Sequence, residues 1–284
     1  KGIQDSQLIT IDGKVMAVAF MANTQHLYYR EDVLKELGIP VPKTYEEVVA
    51  ASEKIRASGK MQHPYAAAYK AGWNLAEEFV NMFIGHGGEF FKAGTAEPNI
   101  NNAKGVATLN MLKKLASLSN PDYLTHDSEA IKVEWESGKV ALMTLWASRS
   151  GTLVDDEGDA KITAATKLTG PATVGGGNIP AATLWWDGFT LAKNRSDSDA
   201  EATFIALAHA ASNKKMVADA ADQAVWLVEG FVPGPKSIGV IEAVKMGAKP
   251  YPMLPQMGLM HGALGSEIVA VSYTHLRAHE TPLH

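Results

Sequence analysis

The sequence contains no cysteine and no long hydrophobic run. Without cysteine, disulfides, thiolate metal ligands and cysteine nucleophiles are all excluded. The longest apolar run, Val15 to Ala22, falls short of the roughly 20 residues that a membrane-spanning helix requires. The sequence also lacks His-Glu-x-x-His and Gly-x-Ser-x-Gly motifs, so it predicts no metal site, no cofactor and no catalytic triad.

Neither sign of charge dominates the chain. The 31 acidic and 26 basic residues give a net charge of -5 and form no long block of one sign. This distribution argues against nucleic acid or an anionic membrane as a partner, and we expect a small ligand that is close to neutral. Because 284 residues exceed the usual length of one compact domain, we expect two domains.

The chain opens with strand signals. Two β-rich runs, Gln7 to Asp12 and Lys14 to Phe20, flank an Asp12-Gly13 turn and predict a hairpin. A further strand is predicted at Leu27 to Tyr29.

Two helices with clear end signals follow. The first begins at Arg30 and ends at Gly38, a residue typical of helix C-termini. The second begins after Thr44, which forms a capping-box pattern with Glu47, and it ends at Gly59.

In the rest of the chain predicted strands alternate with predicted helices, a pattern that predicts an α/β fold. Further helices are predicted at 75–84, 102–118, 129–136, 199–211, 214–227 and 258–271. Strands are predicted at 162–168 and 183–192, while 139–145 is ambiguous between strand and helix and 233–255 reads as turns. An apolar stripe in the second of these helices is predicted to face the core; its members are Val106, Leu109, Leu112 and Leu115.

Several of these blocks resemble, in the same order, the signature of the family 1 extracellular solute-binding proteins, the maltose-binding-protein-like components of ABC sugar importers. The first block contains Asp12-Gly13-Lys14, Asn23, Leu27-Tyr28-Tyr29-Arg30, Asp32, Val33-Leu34, Gly38, Pro42-Lys43-Thr44-Tyr45 and Glu46. The later blocks are Trp73 to Gly88, Gly138 to Trp146 and Tyr251 to Leu264. The blocks around Trp185 and Pro250 look most like the α-glucoside and polyol binders.

The resemblance implies a two-lobe fold of the periplasmic-binding-protein type (type II), with a cleft between lobes that close over the ligand. By analogy, residues 1–20 and 189–250 form the remnant of the N-terminal lobe, 27–184 and 251–271 form the C-terminal lobe, and 21–26, 184–189 and 249–255 are hinge crossings. It also implies that the N-terminal lobe is incomplete and that the chain is truncated at both ends. Residues 272–284 resemble translated sequencing-adapter read-through and are expected to be a non-native tail.

The same resemblance implies a function. The chain is expected to be the substrate-binding component of an ABC transporter and not an enzyme. It would bind a sugar, deliver it to the permease subunits, act as a monomer and work in the periplasm or another extracytoplasmic compartment.

A sugar site needs aromatic platforms for the ring faces and polar groups for the hydroxyls. Trp185-Trp186-Asp187 supplies both kinds of group at a predicted crossing. Because strand residues alternate, we expect one tryptophan to be buried in the core, while the other either faces the cleft or packs elsewhere. Asp187 needs a partner, and a sugar diol could be that partner.

Other candidates follow from family positions. Asn23 lies in the first crossing, although it could equally stabilise a turn. Trp73 and Glu77 precede a Gly-Gly pair where relatives contact ligand, although most glutamates are simply solvated. Trp146 and Arg149 follow a strand-like run, with Arg149 standing where the family usually has an aromatic residue.

His261 is the last candidate, since it could reach the cleft from the final helix, although a lone histidine on a helix is more often structural.

Two alternative functions stay open from the sequence. A glycoside hydrolase would need two carboxylates across the scissile bond, and Asp187 with Glu77 is the pair that can be imagined. Alternatively, the fold could bind a polyol, a peptide or a polyamine.

Overall fold

The computed structural model describes residues 8–154, 158–222 and 224–278. Gln7 of the predicted hairpin and tail residues 279–284 therefore lie outside the described residues. The described strands are β1 (Leu8–Ile11), β2 (Lys14–Asn23), β3 (Gln25–Arg30), β4 (Tyr65–Ala66), β5 (Leu142–Trp146), β6 (Thr166–Leu168), β7 (Thr183–Phe189), β8 (Val225–Trp226) and β9 (Lys249–Pro250). The described helices are α1 (Glu31–Glu36), α2 (Tyr45–Ala57), α3 (Trp73–Gly85), α4 (Ala103–Ala116), α5 (Ser128–Glu136), α6 (Ser150–Leu153), α7 (Ala160–Ala165), α8 (Asp197–Ser212), α9 (Lys214–Asp219), α10 (Ile238–Lys245) and α11 (Met257–Ala278).

The strands form two sheets. One has the order β1-β2-β7-β9, with β8 also paired to β2, and the other has the order β4-β5-β3-β6. The pairings β7 with β9 and β4 with β5 are parallel, while the others in these sheets are antiparallel. Strands mixed with helices in this way confirm the predicted α/β class.

The chain passes from the first sheet to the second between β2 and β3. Only Thr24 separates β2 of the first sheet from β3 of the second. The chain returns to the first sheet between β6 and β7, and after β9 it leaves for α11, which packs on α3. The predicted crossing at 184–189 lies within β7 of the first sheet.

The second sheet is covered on both faces. Leu27 and Leu142 point into the larger core cluster, while their neighbours Tyr28 and Met143 point into a smaller cluster around Trp135. This alternation follows from the period of two along a strand. The sheet therefore provides a buried base for the residues at its ends.

Local signals predicted the first elements correctly. The hairpin turns at Asp12 and Gly13, with φ angles of 50° and 74°. Thr44 and Glu47 form the reciprocal hydrogen bonds of a capping box at the start of α2. Gly38, which follows α1, has φ of 61°, a conformation that glycine adopts without steric cost.

The apolar stripe predicted for α4 is only half correct. Leu112 and Leu115 are buried, but Val106 is 56% exposed and Leu109 is 40% exposed. The helix is rotated so that Thr108 faces the core instead. Spacing alone could not reveal this rotation, because Thr108 lies on the same broad face as the stripe.

Three other predicted elements need correction. The strand expected at 162–168 is the short helix α7 followed by β6, and the helix expected at 214–227 ends at Asp219 and is followed by β8. The turn-rich segment 233–255 contains α10. The backbone of α11 continues past Val271 to Ala278, into the segment expected to be a non-native tail.

No helix within the described ranges is both long and apolar enough to cross a membrane.

We predict that Gly239→Ala destabilises the protein. A Cβ on Gly239 of α10 would lie 2.1 Å from Cδ2 of the buried His26, so the helix would have to move away from β3. Overpacking of this kind costs about 1–3 kcal/mol. Urea unfolding measures the loss.

The matched control is Gly262→Ala in α11, where a Cβ would meet no atom within 4 Å. That variant should be neutral or slightly stabilising, because alanine favours a helix by about 1 kcal/mol over glycine. Equal stability of the two variants would contradict the packing of α10 on His26.

Candidate functional site

Four aromatic side chains gather where the two sheets meet. Ring centroids lie 5.9 Å apart for Trp73 and Trp185, 6.2 Å for Trp73 and Trp146, and 6.0 Å for Trp146 and Trp185. Tyr251 joins them at 4.4 Å from Trp185. We call these four residues the aromatic cluster. They come from the start of α3, the end of β5, β7 and the segment after β9, so four separate parts of the chain build one surface.

The register of β2 and β7 decides which polar groups accompany the cluster. Asn23 pairs with Trp185 and Met21 pairs with Asp187. Opposed residues of antiparallel strands share a face, so Asn23, Trp185 and Asp187 lie on the same side of the sheet.

Asn23 ties the first sheet to the second. Its Nδ2 donates to Ser148 Oγ at 3.2 Å, and its Oδ1 accepts from the backbone N–H groups of Ser148 at 3.2 Å and Thr24 at 3.0 Å. The turn-stabilising alternative considered for Asn23 is therefore partly correct, since it bonds its own neighbour. It also fixes the segment that carries Trp146.

Asp187 is half-buried and has no hydrogen-bond or ion-pair partner within the described part of the chain. Partial burial raises its pKa above the ordinary value of an aspartate. An unpaired carboxylate beside an aromatic platform is able to accept hydrogen bonds from the hydroxyls of a ligand.

Glu77 lies beneath the cluster and is 0% exposed, so the solvated alternative for this residue is wrong. Its Oε1 lies 2.7 Å from Thr183 Oγ1 and 3.3 Å from Trp185 Nε1. Its Oε2 is buried without a partner. Glu77 therefore supports the platform from behind, and its full burial keeps it out of direct reach of a ligand.

Glu78 is the neighbouring buried carboxyl. Burial raises the pKa of both Glu77 and Glu78 to about 8, because the charged form is poorly solvated in the core. A hydrogen bond from Gln25 works in the opposite direction on the pKa of Glu78. Neither glutamate belongs to an ion pair among the described residues.

His261 is buried and holds two members of the cluster. Its Nδ1 lies 2.9 Å from Tyr251 Oη, its Nε2 lies 3.0 Å from the Trp73 carbonyl oxygen, and its ring stacks on Trp73 at 5.0 Å. Burial lowers its pKa. These contacts give His261 the structural role that the sequence left open.

Two candidates are not members of the aromatic cluster. Trp186 pairs with Ala22 on the opposite face of β7 from Trp185 and is 42% exposed. Neither tryptophan of the pair is fully buried, so the expectation that one of them joins the core was wrong. Arg149 is engaged by Glu129, with 2.6 Å between Nη1 and Oε1.

Sequence reasoning missed Tyr251 and Thr183 as members of the site. Tyr251 belongs to a block and a crossing that the resemblance had marked, so its aromatic ring was an available signal. Thr183 carried no such signal, because a threonine at the start of a strand is ordinary.

A pocket of about 320 Å³ lies far from the cluster. It is lined by Lys60, Met61, Gln62, His63, Asn120, Glu134, Gly138, Lys139 and Val140. Residues 60–63 and 138–140 of this lining lie just before β4 and β5, whereas Trp146 stands at the other end of β5. None of the predicted site residues lines it.

Comparisons with known proteins agree on one family. Residues 3–228 match the profile of the bacterial extracellular solute-binding proteins. A "Probable ABC transporter-binding protein" of Deinococcus radiodurans is 29% identical over 193 residues, which is 65% of this chain and 44% of the relative. A maltodextrin-binding protein of Bacillus subtilis is 27% identical over 132 residues, 45% of this chain and 31% of the relative. The chain thus spans less than half the length of these curated relatives.

Solved structures share the fold. A maltose-bound MalE3 of T. maritima superposes with a TM-score of 0.78 at 20% identity. The match covers 97% of this chain and 76% of the MalE3 chain. A solute-binding protein of Agrobacterium radiobacter in complex with ribitol superposes with a TM-score of 0.79 at 20% identity. The match covers 95% of this chain and 69% of the Agrobacterium chain. A solute-binding protein of Agrobacterium vitis with bound D-mannitol superposes with a TM-score of 0.74 at 17% identity. The match covers 95% of this chain and 72% of the Agrobacterium vitis chain. At these identities the likeness concerns the fold alone.

We predict that stability falls as pH rises from 6.5 to 9. The folded pKa of Glu77 and Glu78 is about 8, against an ordinary value of 4.5, so the folded state holds more protons than the unfolded state between these values. The stabilisation is complete below pH 4.5 and is lost progressively as pH rises to the folded value of about 8, by up to about 1.4 kcal/mol per pH unit for each group, so the fall levels off above pH 8. Urea unfolding at half-unit steps measures the slope.

Glu78→Gln should flatten this slope, whereas Glu53→Gln, at an exposed position on α2, should leave it unchanged. The buried histidines His26 and His261 do not obscure the result above pH 6.5, since burial lowers the pKa of both. A wild-type protein whose stability is constant over this range would contradict the neutral state of the pair.

Proposed function

The chain belongs to the bacterial extracellular solute-binding proteins, and from this membership we propose that it is the substrate-binding component of an ABC transporter for a sugar or polyol. The observation that carries the proposal is the aromatic cluster with the unpaired Asp187 on the same face of β7. Rings offer flat apolar faces to a sugar, and a carboxylate and an amide offer fixed partners to its hydroxyls. Trp73 is 50% exposed, so its ring is open to a ligand.

The predicted lobes fit this proposal. We assign residues 27–184 and 251–271 to the C-terminal lobe and residues 1–20 and 189–250 to the N-terminal lobe, with 21–26, 184–189 and 249–255 as hinges. The proposal is supported by the two sheets and by the position of the cluster where they meet. A ligand that contacts both lobes favours the closed state, and closure presents the loaded protein to the permease.

Ligand class is inferred from chemistry and from relatives. The solved relatives carry maltose, ribitol and D-mannitol, all of which are neutral and rich in hydroxyls. The cluster offers rings and one unpaired carboxylate, which suits such ligands better than a peptide. A polyamine carries several positive charges, whereas Asp187 is the one unpaired carboxylate beside the cluster among the described residues.

Binding without turnover is the second part of the proposal. A glycoside hydrolase built on Asp187 and Glu77 would require both carboxyls to reach the scissile bond. Glu77 is fully buried and bonded to Thr183, so it is unsuited to that role. We further propose that the protein is a monomer that works outside the cytoplasm, partnered by permease subunits.

The first test is a thermal-shift panel with maltose, ribitol, D-mannitol, a tripeptide and spermidine. We expect the melting temperature to rise with at least one sugar or polyol, because a ligand at a hundred times its Kd stabilises by about 2.7 kcal/mol. Prolonged incubation with the stabilising sugar should release no product. A rise with spermidine or the tripeptide alone, or turnover of the sugar, would overturn the proposal.

The second test locates the site by calorimetry with the stabilising ligand. Trp73→Ala and Asp187→Asn should each weaken binding roughly tenfold or more, since they remove a ring platform and a charge-assisted hydrogen bond. Trp186→Ala is the matched control on the opposite face of β7 and should change affinity less than about twofold. Comparable losses for Trp73→Ala and Trp186→Ala would show that the wrong face was assigned.

A further inference from the structure

The hydroxyl of Thr183 lies at the centre of a buried polar network behind the aromatic cluster. Its Oγ1 lies 2.7 Å from Glu77 Oε1, 2.8 Å from Asn81 Oδ1 and 2.8 Å from Trp185 Nε1. Each distance is that of a hydrogen bond. Three bonds must therefore share the single proton and two lone pairs of one hydroxyl.

Counting protons assigns the direction of each bond. Asn81 Oδ1 accepts from the Thr183 backbone N–H at 2.7 Å, and Asn81 Nδ2 donates to Gln25 Oε1 at 3.2 Å, so the orientation of this amide is fixed. Asn81 Oδ1 carries no proton, so in its contact with the Thr183 hydroxyl the threonine must be the donor. Trp185 contributes its own indole proton to Thr183.

The remaining contact, between Thr183 and Glu77, then needs a proton from the carboxyl group. With Glu77 ionised, two acceptors would compete for the one proton of Thr183, and one 2.7–2.8 Å oxygen pair would have none. With Glu77 protonated on Oε1, the threonine donates once and accepts twice, and every contact is satisfied.

Burial points to the same protonation state. Glu77 is fully buried, its Oε2 has no partner, and no cationic side chain pairs with it in the described ranges. An unpaired buried carboxylate is costly, whereas the neutral acid is tolerated.

We propose that Glu77 is a positioning residue that works as a neutral carboxylic acid, whose O–H holds Thr183 and thereby fixes the Trp185 indole. When Glu77 ionises, its carboxylate draws the Thr183 proton away from Asn81 and competes for the indole N–H, which lies 3.3 Å from Glu77 Oε1. The indole then shifts, and mildly alkaline solution weakens ligand binding. Only the consequence for binding rests on the proposed function; the protonation state and the indole position do not.

The network reaches beyond Trp185. Thr24 Oγ1 donates to the Thr183 carbonyl oxygen at 2.8 Å, and Gln25 bonds both Asn81 and Glu78. Thr24 and Gln25 lie in the first predicted hinge and Thr183 directly precedes the second. Glu77 therefore lies where α3 meets the first predicted hinge and the residue that precedes the second.

Other titratable groups face the pair and must be separated from it. They are Asp187 on the face of Trp185, Tyr251 and His261 on the α11 side, and Tyr45, Tyr65 and Tyr69 on the side of Glu78. Burial raises the pKa of the tyrosines, that of Tyr251 to about 12, and lowers the pKa of His261. These tyrosines and His261 therefore stay neutral between pH 7 and 9, which leaves the carboxyls as the groups to distinguish.

The test follows tryptophan fluorescence and the infrared spectrum of the ligand-free 284-residue chain from pH 6.5 to 9. We expect one fluorescence transition near pH 8 that is absent in Trp185→Phe, together with loss of the carbonyl band of a protonated carboxylic acid. Glu77→Gln should remove the fluorescence transition and keep the emission of the neutral state, because its amide N–H can replace the carboxyl O–H as donor to Thr183.

Glu78→Gln is the matched control, since it neutralises the adjacent buried carboxyl but leaves the contacts of Thr183 intact. It should shift the fluorescence transition without abolishing it. Asp187→Asn should also retain the transition. A wild-type emission that is constant over this pH range, or an identical titration in Glu77→Gln, would overturn the inference even if every variant folds.

A second arm uses maltose as the probe. Its affinity should fall by up to about tenfold between pH 6.5 and 9, because only about one tenth of a group that titrates near pH 8 stays protonated at pH 9. Glu77→Gln should bind equally at both values. Failure of maltose to bind at either pH counts against the proposed function for that sugar, while the ligand-free titration still decides the protonation of Glu77.

Discussion

The hydrogen bonds around the Thr183 hydroxyl are the constraint on which the site depends. They join α3 to β7 and, through Asn81 and Gln25, to the start of β3. Since the hydroxyl has one proton and two lone pairs, its three partners have little freedom to rearrange. A buried polar group of this kind is costly when unsatisfied, so the network specifies one arrangement of the strands that carry the site.

The aromatic cluster follows from that arrangement. Trp185 is held from behind by Thr183, while Trp73 is held by His261, which also fixes Tyr251. Three of the four rings therefore have a second residue that sets their orientation. Rigid rings lose little entropy when a ligand binds, which favours the recognition of flat sugar faces.

The family supplies the fold, and the chain's own residues supply the proposed specificity. Solved relatives share the fold at 20% identity or less among those compared. At that distance a ligand cannot be carried over by likeness, because function resides in sites and not in folds. The open ring of Trp73 and the unpaired Asp187 are features of this chain and support a neutral, hydroxyl-rich ligand.

The sequence by itself determined the elements whose signals are local. Asp12-Gly13 set the hairpin, and Thr44 with Glu47 set the start of α2, because a turn or a cap is completed by neighbours in the chain. Tertiary structure decided the rest. Periodicity showed that α4 has an apolar face but not which part would be covered, and the Trp185-Trp186 pair could not be assigned without the register of β2. The burial of Glu77 depends on β7 and α11 packing over α3, contacts between segments about a hundred or more residues apart, which no local pattern encodes.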